Sequence, residues 1–460
     1  MSSAHNTVEL WIKPEGVSDD TIYQLSDADY VHGPKQLQTL VVYYNSEQRA
    51  DFMPTDRLVA GLRKTIDQYP ILAGRLKVVN DVDYEVHMTG EGVLYQETQS
   101  KHDIASFDPN WPNSSMLPEL LALPWSTDTD IIFALRVTRF ANNSGVILAG
   151  YSHHNVIDGL GFLMVGHAWA AFTRGETPPP PLHDRELLRL PPELRHMVKK
   201  PSPEMFKLQS MPAVEDHSKW AVMLEMNAEN LTRLKTAAIE SVRSKEESKE
   251  EKAWFSTSDA VIAMLWRALV RSSRMKPHER VNVVTGINMR GYLTDLPANY
   301  FGNAIDAVIV STTVGELIAQ PLGEIALMQR RALLATKQRT REEWLRWANS
   351  GNALSAINRC IPMQPGTSIG ISDLTKASAV VNLDFGYGNM AALRRIAHPA
   401  KITNAFFEIP PCPKTGKRGI VVSAMVKKED YDRFVNDYEI AAYTRVLDTK
   451  HALAEFAAKL

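Results

Sequence analysis

Tyr151-Ser-His-His-Asn-Val-Ile-Asp-Gly-Leu-Gly-Phe162 is the stretch on which the architecture turns. Before it, residues 131–140 and 146–151 read as two strands joined by Ala141-Asn-Asn-Ser-Gly145, a hairpin-like turn. After it, residues 159–173 form a strongly apolar helix closed by Arg174-Gly175. A strand therefore delivers two adjacent histidines, a short turn follows, and Asp158 opens a helix. Strand alternation sends His153 and His154 to opposite sides, so one enters the core while the other faces a cleft at the strand end. An imidazole with a pKa near neutrality can take a proton from an attacking group and return it later. The four-residue spacing to Asp158 suits a His–Asp orienting pair. It equally suits an aspartate that caps the helix, and the residues alone leave both open.

Outward from this stretch, strands and helices alternate in both directions. Residues 8–12 alternate apolar and polar, and 40–44 are β-rich. Leu58, Leu62 and Ile66 recur at helical spacing over 55–68, until Tyr69-Pro70 ends the run. Pro178 to Pro181 open a proline-rich stretch that reaches Pro212, which predicts extended chain and a domain boundary. Beyond it, residues 256–272 read as an apolar helix with Thr257, Ser258 and Asp259 as caps. Strands are expected at 281–285, 305–312, 377–383 and 419–426, and helices at 315–336, 428–437 and 450–460. With 460 residues the chain exceeds one ordinary core, and two α/β halves facing each other are the economical architecture. The boundaries fall at 1–190 for the first domain, 191–218 for a crossover linker and 219–460 for the second.

A net charge of −2 gives no electrostatic case for nucleic acid or for an anionic membrane surface. Cys360 and Cys412 are the two cysteines, so no disulfide scaffold and no Cys/His zinc spacing exists, and no metal is expected. The N-terminus lacks the basic start and apolar stretch of a signal peptide. No uncharged apolar run approaches the ~18 residues of a membrane span. The chain ends Ala458-Lys459-Leu460, in the address class of Ser-Lys-Leu, which points to the cytoplasm or the peroxisome.

Two signatures suggest a family. His153-His-Asn-Val-Ile-Asp-Gly159 reads HHxxxDG, and Asn382-Leu-Asp-Phe-Gly-Tyr-Gly388 contains DFGYG. In this order they resemble the HxxxD and DFGWG motifs of the BAHD acyltransferases, with Tyr387 in place of Trp. Further likenesses run along the chain: Tyr69-Pro-Ile-Leu-Ala-Gly-Arg-Leu76, Pro181-Leu-His-Asp-Arg185, the helix from Thr257-Ser to Trp266, Asn288-Met-Arg290, and Asn299-Tyr-Phe-Gly-Asn303. The HH form resembles the branch that includes trichothecene 3-O-acetyltransferases.

The resemblance implies an α/β fold of two chloramphenicol-acetyltransferase-like domains, each a mixed sheet with flanking helices, enclosing a channel. A segment near 370–400 is expected to pack with the first domain. His154 becomes the general base in the channel and His153 structural. Asp158 points out of the channel and pairs with Arg290. Asp384 fixes a loop near the coenzyme, where Gly386 and Gly388 let the backbone approach closely. Coenzyme A is expected near Ser256, Thr257 and Ser258, whose hydroxyls and N–H groups at a helix start suit phosphate or pantetheine amides. Ordinary N-capping is the alternative for each. Where relatives carry a Ser-Trp pair, this chain has Ser372-Asp-Leu374, so oxyanion stabilisation must come from elsewhere, with Ser372 and Thr375 as candidates. Asn389-Met390 likewise replaces the usual Lys/Arg-Pro.

The implied reaction is direct transfer of an acyl group, acetyl by default, from acyl-CoA to a hydroxyl of a small secondary metabolite. It needs no covalent acyl-enzyme, no permanently bound cofactor and no partner chain, so a monomer is expected. Two alternatives stay open: a condensation-type enzyme served by a carrier protein, and N-acylation. A serine hydrolase built on Gly366-Thr-Ser-Ile-Gly370, Asp384 and His398 fails on context, since no strand–turn–helix surrounds Ser368.

Overall fold

The computed structural model describes residues 8–30, 36–79, 83–107, 111, 120–123, 129–197, 219–243, 254–293, 295–349, 368–374, 383–396, 406–409 and 419–447. From edge to edge, a six-stranded sheet runs Val8–Ile12, Val93–Gln99, Phe133–Arg139, Gly145–His153, Gln36–Tyr44 and Ala392–Ile396. Only the second and third of these strands pair in parallel. Gly145–His153 is buried at every residue, which the small and apolar run from Gly145 to Gly150 favours, and it pairs along its length with Gln36–Tyr44. Helices Thr55–Gln68 and Gly159–Arg174 cross on one face of this sheet. Their contact is close: a Cβ on Gly61 would lie 2.3 Å from Thr173 Oγ1, and Trp169 Nε1 donates to the Leu58 carbonyl at 2.8 Å. The opposite face is packed by Leu40, Val42, Ile104, Trp111 and Ile147.

The second half builds a seven-stranded sheet in the order Ile305–Thr313, Arg280–Asn288, Ser368–Asp373, Phe406–Ile409, Ile420–Lys427, Lys219–Met226 and Arg445–Val446. Ser368–Asp373 runs parallel to both of its neighbours; the remaining pairs are antiparallel. Thr257–Ser272, buried along most of its length, lies at the centre of this half's core beside Ala228–Arg243 and Leu322–Lys337. The halves interlock. Ala392–Ile396 follows the second half's strands in sequence yet pairs antiparallel with Gln36–Tyr44, and Leu383, Phe385, Tyr387 and Leu393 join the first core. In return Ala28 packs into the second core.

The helix expected over 315–336 is two helices, Val314–Ala319 and Leu322–Lys337. Pro321 lacks an N–H and would clash with the preceding turn, so the chain restarts there. Arg267 takes up the carbonyl of Gln320 at 2.7 Å. Helix Gly159–Arg174 ends as expected, with Gly175 in the left-handed region at φ +84°. Of the crossover, Pro192–Met197 is a short 3-10 helix. The expected strand at 377–383, save Leu383, and the helix at 450–460 with the Ala458-Lys459-Leu460 ending lie outside the described residues. Among the described residues no helix is long and apolar enough to cross a membrane.

Candidate active site

The strand Gly145–His153 stops one residue short of His154, which occupies the first position of a turn. His153 is buried, while His154 is half-buried. The turn is held by the N–H groups of Val156 and Ile157, which both reach the carbonyl of His153. Asp158 then caps the helix Gly159–Arg174, accepting from Gly161 N at 2.7 Å.

The other carboxylate oxygen of Asp158 faces the second half. It accepts from Arg290 Nη1 at 2.8 Å and from Ala304 N at 3.0 Å, and both side chains of the ion pair are wholly buried. Arg290 spends its remaining donors on the carbonyls of Tyr300 and Gly302 and on Asn288 Oδ1. Burial alone would raise the pKa of Asp158, but the Arg290 charge and the hydrogen bonds from Arg290, Gly161 and Ala304 outweigh it and hold the carboxyl below its usual range. Asp158 thus serves both as a cap and as half of a cross-lobe ion pair.

His154 Nδ1 lies instead 3.1 Å from Asn303 Oδ1. The Asn303 amide is fully buried and donates through Nδ2 to Asp29 Oδ1 and to the His154 carbonyl, each at 2.8 Å. Asp29, also fully buried, is paired with Arg185 at 2.8 Å. The bare sequence did not single out Asp29, Arg185 or Asn303 as site residues. Arg185 and Asn303 sit in segments with family likeness, but Asp29 carries no local signal beyond a short 3-10 turn, Asp27–Tyr30.

Asp384 belongs to a different place. Its loop lies against the far end of helix Gly159–Arg174, a distance of roughly 24 Å along the helix axis from Asp158. Its carboxylate accepts from Gly386 N at 2.7 Å, turning the loop on itself, and Arg174 donates to its carbonyl. Arg57 donates to the Tyr387 hydroxyl at 2.9 Å and Arg49 lies 4.8 Å from the ring centre. Gly386 and Gly388 adopt φ of +90° and +102°, and nothing lies within 4 Å of a Cβ built on Gly388. A backbone conformation, rather than a close approach, requires glycine there.

Of the residues expected to meet the coenzyme, Ser256 is the N-cap of Thr257–Ser272 in a capping box with Asp259, so its hydroxyl is committed to the helix. Thr257 and Ser258 are half-exposed in the first turn. Ser372 and Leu374 are half-buried at the end of Ser368–Asp373, and Thr375 lies outside the described residues, as do Asn382 and His398. Ser368 opens a strand that pairs on both sides, which is not the exposed strand-to-helix turn a hydrolase nucleophile needs. Among the described residues no group of three His, Cys, Asp or Glu could hold a metal ion.

Comparison with known proteins agrees with this frame. The profile described as "Transferase family" matches residues 6–441, and the chain belongs to that family, the BAHD acyltransferases. It is 26% identical over 285 residues to anthranilate N-benzoyltransferase protein 2 of Dianthus caryophyllus, covering 60% of this chain and 62% of the relative. It is 27% identical over 309 residues to 2-alpha-hydroxytaxane 2-O-benzoyltransferase of Taxus cuspidata, covering 65% and 66%. These matches therefore span just under two thirds of the relatives' own length. The crystal structure of F. sporotrichioides TRI101 complexed with coenzyme A and T-2 superposes with a TM-score of 0.70 at 19% identity, covering 93% of this chain and all of that one.

Proposed function

We propose that the chain is an acyl-CoA-dependent acyltransferase that acylates a hydroxyl of a small secondary metabolite, with His154 as general base. The observation that carries it is the placement of His154: a half-buried imidazole just past a fully buried strand, with Nδ1 3.1 Å from Asn303 Oδ1. The acceptor oxygen attacks the thioester carbonyl as its proton passes to Nε2. A C–O bond forms, the C–S bond of the tetrahedral intermediate breaks, and the same proton is returned to the leaving thiolate. Asp158 and Arg290 shape the turn that presents the ring and take no part in the proton transfer. Thr257, Ser258 and Ser372 are proposed for the coenzyme and the oxyanion, with Ser256 reduced to a cap.

Acetyl is proposed as the acyl group, and the names of the curated relatives make benzoyl the next donor to try. Because one of them is an N-benzoyltransferase, amines belong in the acceptor panel. We further propose a two-lobed monomer. The test is free-thiol release from a panel of acyl-CoAs with alcohols and amines. Acceptor-dependent release with at least one pair is expected, and no release above buffer with any pair overturns the reading.

A further inference from the structure

We propose that Asn303, clamped by the buried Asp29–Arg185 ion pair, is a positioning residue that fixes the tautomer of His154 and so makes Nε2 its basic nitrogen; this rests on His154 being the general base. The reasoning is a count of donors and acceptors. An asparagine amide has two N–H donors on Nδ2, while Oδ1 can only accept. Nδ2 faces Asp29 Oδ1 and the His154 carbonyl, both at 2.8 Å, so both hydrogens are used and a flipped amide would set oxygen against oxygen twice. Oδ1 is thereby turned toward His154 Nδ1 at 3.1 Å, and the proton between them must belong to the ring. A histidine holding its proton on Nδ1 keeps its lone pair on Nε2.

The clamp is itself over-determined. As a carboxylate, Asp29 is acceptor-only, and it receives Arg185 Nη1 at 2.9 and 2.8 Å, Ser26 N and Oγ at 2.8 Å, and Asn303 N at 3.1 Å. Arg185 Nη2 reaches on to the carbonyl of Val156 at 2.9 Å, inside the turn that follows His154. Asn155 Nδ2 returns to the carbonyl of Asp29 at 3.1 Å. One ion pair therefore holds both the amide that orients the ring and the turn that carries it. Asp29 and Asn303 have no exposed surface, so bulk water does not compete for these bonds. Asp29 acts on His154 only through Asn303.

The experiment is nitrogen NMR of the full chain labelled at histidine, above neutral pH and without acyl-CoA, with His154 assigned by difference against H154Q. The wild-type ring should carry its proton on Nδ1, and N303A should shift it to Nε2 or to a mixture. In thiol-release assays N303A should lose about 100-fold in kcat, the scale of one proton-transfer role, with KM for acyl-CoA within about threefold. D29N, whose amide must present an N–H to one of its former donors, should mix the tautomers in the same way. A wild-type His154 protonated on Nε2 overturns the proposal even if no variant folds, as does an N303A protein that keeps the Nδ1 tautomer. The tautomer is read on the resting protein, so it is answered separately from the acyl-transfer reading, which stands or falls on thiol release.

Discussion

The two signature carboxylates serve the same helix, Gly159–Arg174, from opposite ends and in opposite styles. At its start Asp158 has no exposed surface, and its bonds reach Arg290 and Ala304 in the other half of the chain. At its end Asp384 is half-exposed, and its carboxylate bonds a backbone N–H two residues away. One aspartate stitches lobes together; the other folds a loop. A buried charge depends on a distant partner and is costly when orphaned, whereas a local turn leans on backbone conformation. Motif membership thus says less about a residue's importance than the distance over which its bonds act.

That contrast can be broken by substitution, and the largest effect belongs to His154, four residues before Asp158. H154A should lower thiol release by on the order of 10³-fold with little change in Tm, since its ring contributes a proton-transfer role rather than packing. Near-wild-type rates in H154A would remove the chemistry from this end of the helix altogether. R290M should cost about 3–5 kcal/mol in urea unfolding by leaving Asp158 uncompensated. D158N carries a pH signature as well. The folded carboxyl is held below its unfolded value, so its stabilisation is complete above about pH 4 and is lost as pH falls through the folded value. The stability gap between D158N and wild type should therefore be widest at neutral pH and narrow on acidification. A gap independent of pH would show that the ion pair contributes nothing through ionisation.

At the other end the effects should be smaller. G388A forces a side chain into φ +102° and is expected to cost about 1–3 kcal/mol, measured by thermal unfolding. D384N keeps an oxygen that can accept from Gly386 N, and should change stability by under about 1 kcal/mol. If D384N proves as damaging as R290M, the local and the lobe-spanning carboxylate are not the different devices they look like.

What could be read from residue order follows the same division between near and far. Helix Thr55–Gln68 was legible because Leu58, Leu62 and Ile66 repeat along one face, and the strand, turn and helix around His154 because each is a local pattern. The spacing of His154 and Asp158 suggested an orienting pair, yet Asp158 turns toward Arg290 and Ala304 while the ring meets Asn303. Only the family likeness pointed to Arg290. The run over 315–336 misled because its apolar period continues across Pro321, where the backbone cannot. Strands such as Phe406–Ile409 went unread because their partners lie elsewhere in the chain. Asp29, Arg185 and Asn303 were missed as a site for the same reason: a buried polar cluster drawn from three distant segments has no period.

The strand Ala392–Ile396, seated against Gln36–Tyr44, ties the timing of folding to the geometry. During synthesis the first sheet must wait for its sixth strand until most of the remaining chain has been made, and until then Gln36–Tyr44 presents an open edge to any passing segment. A fragment ending at the proline-rich crossover would keep that edge permanently, and should clump rather than survive as a free-standing half.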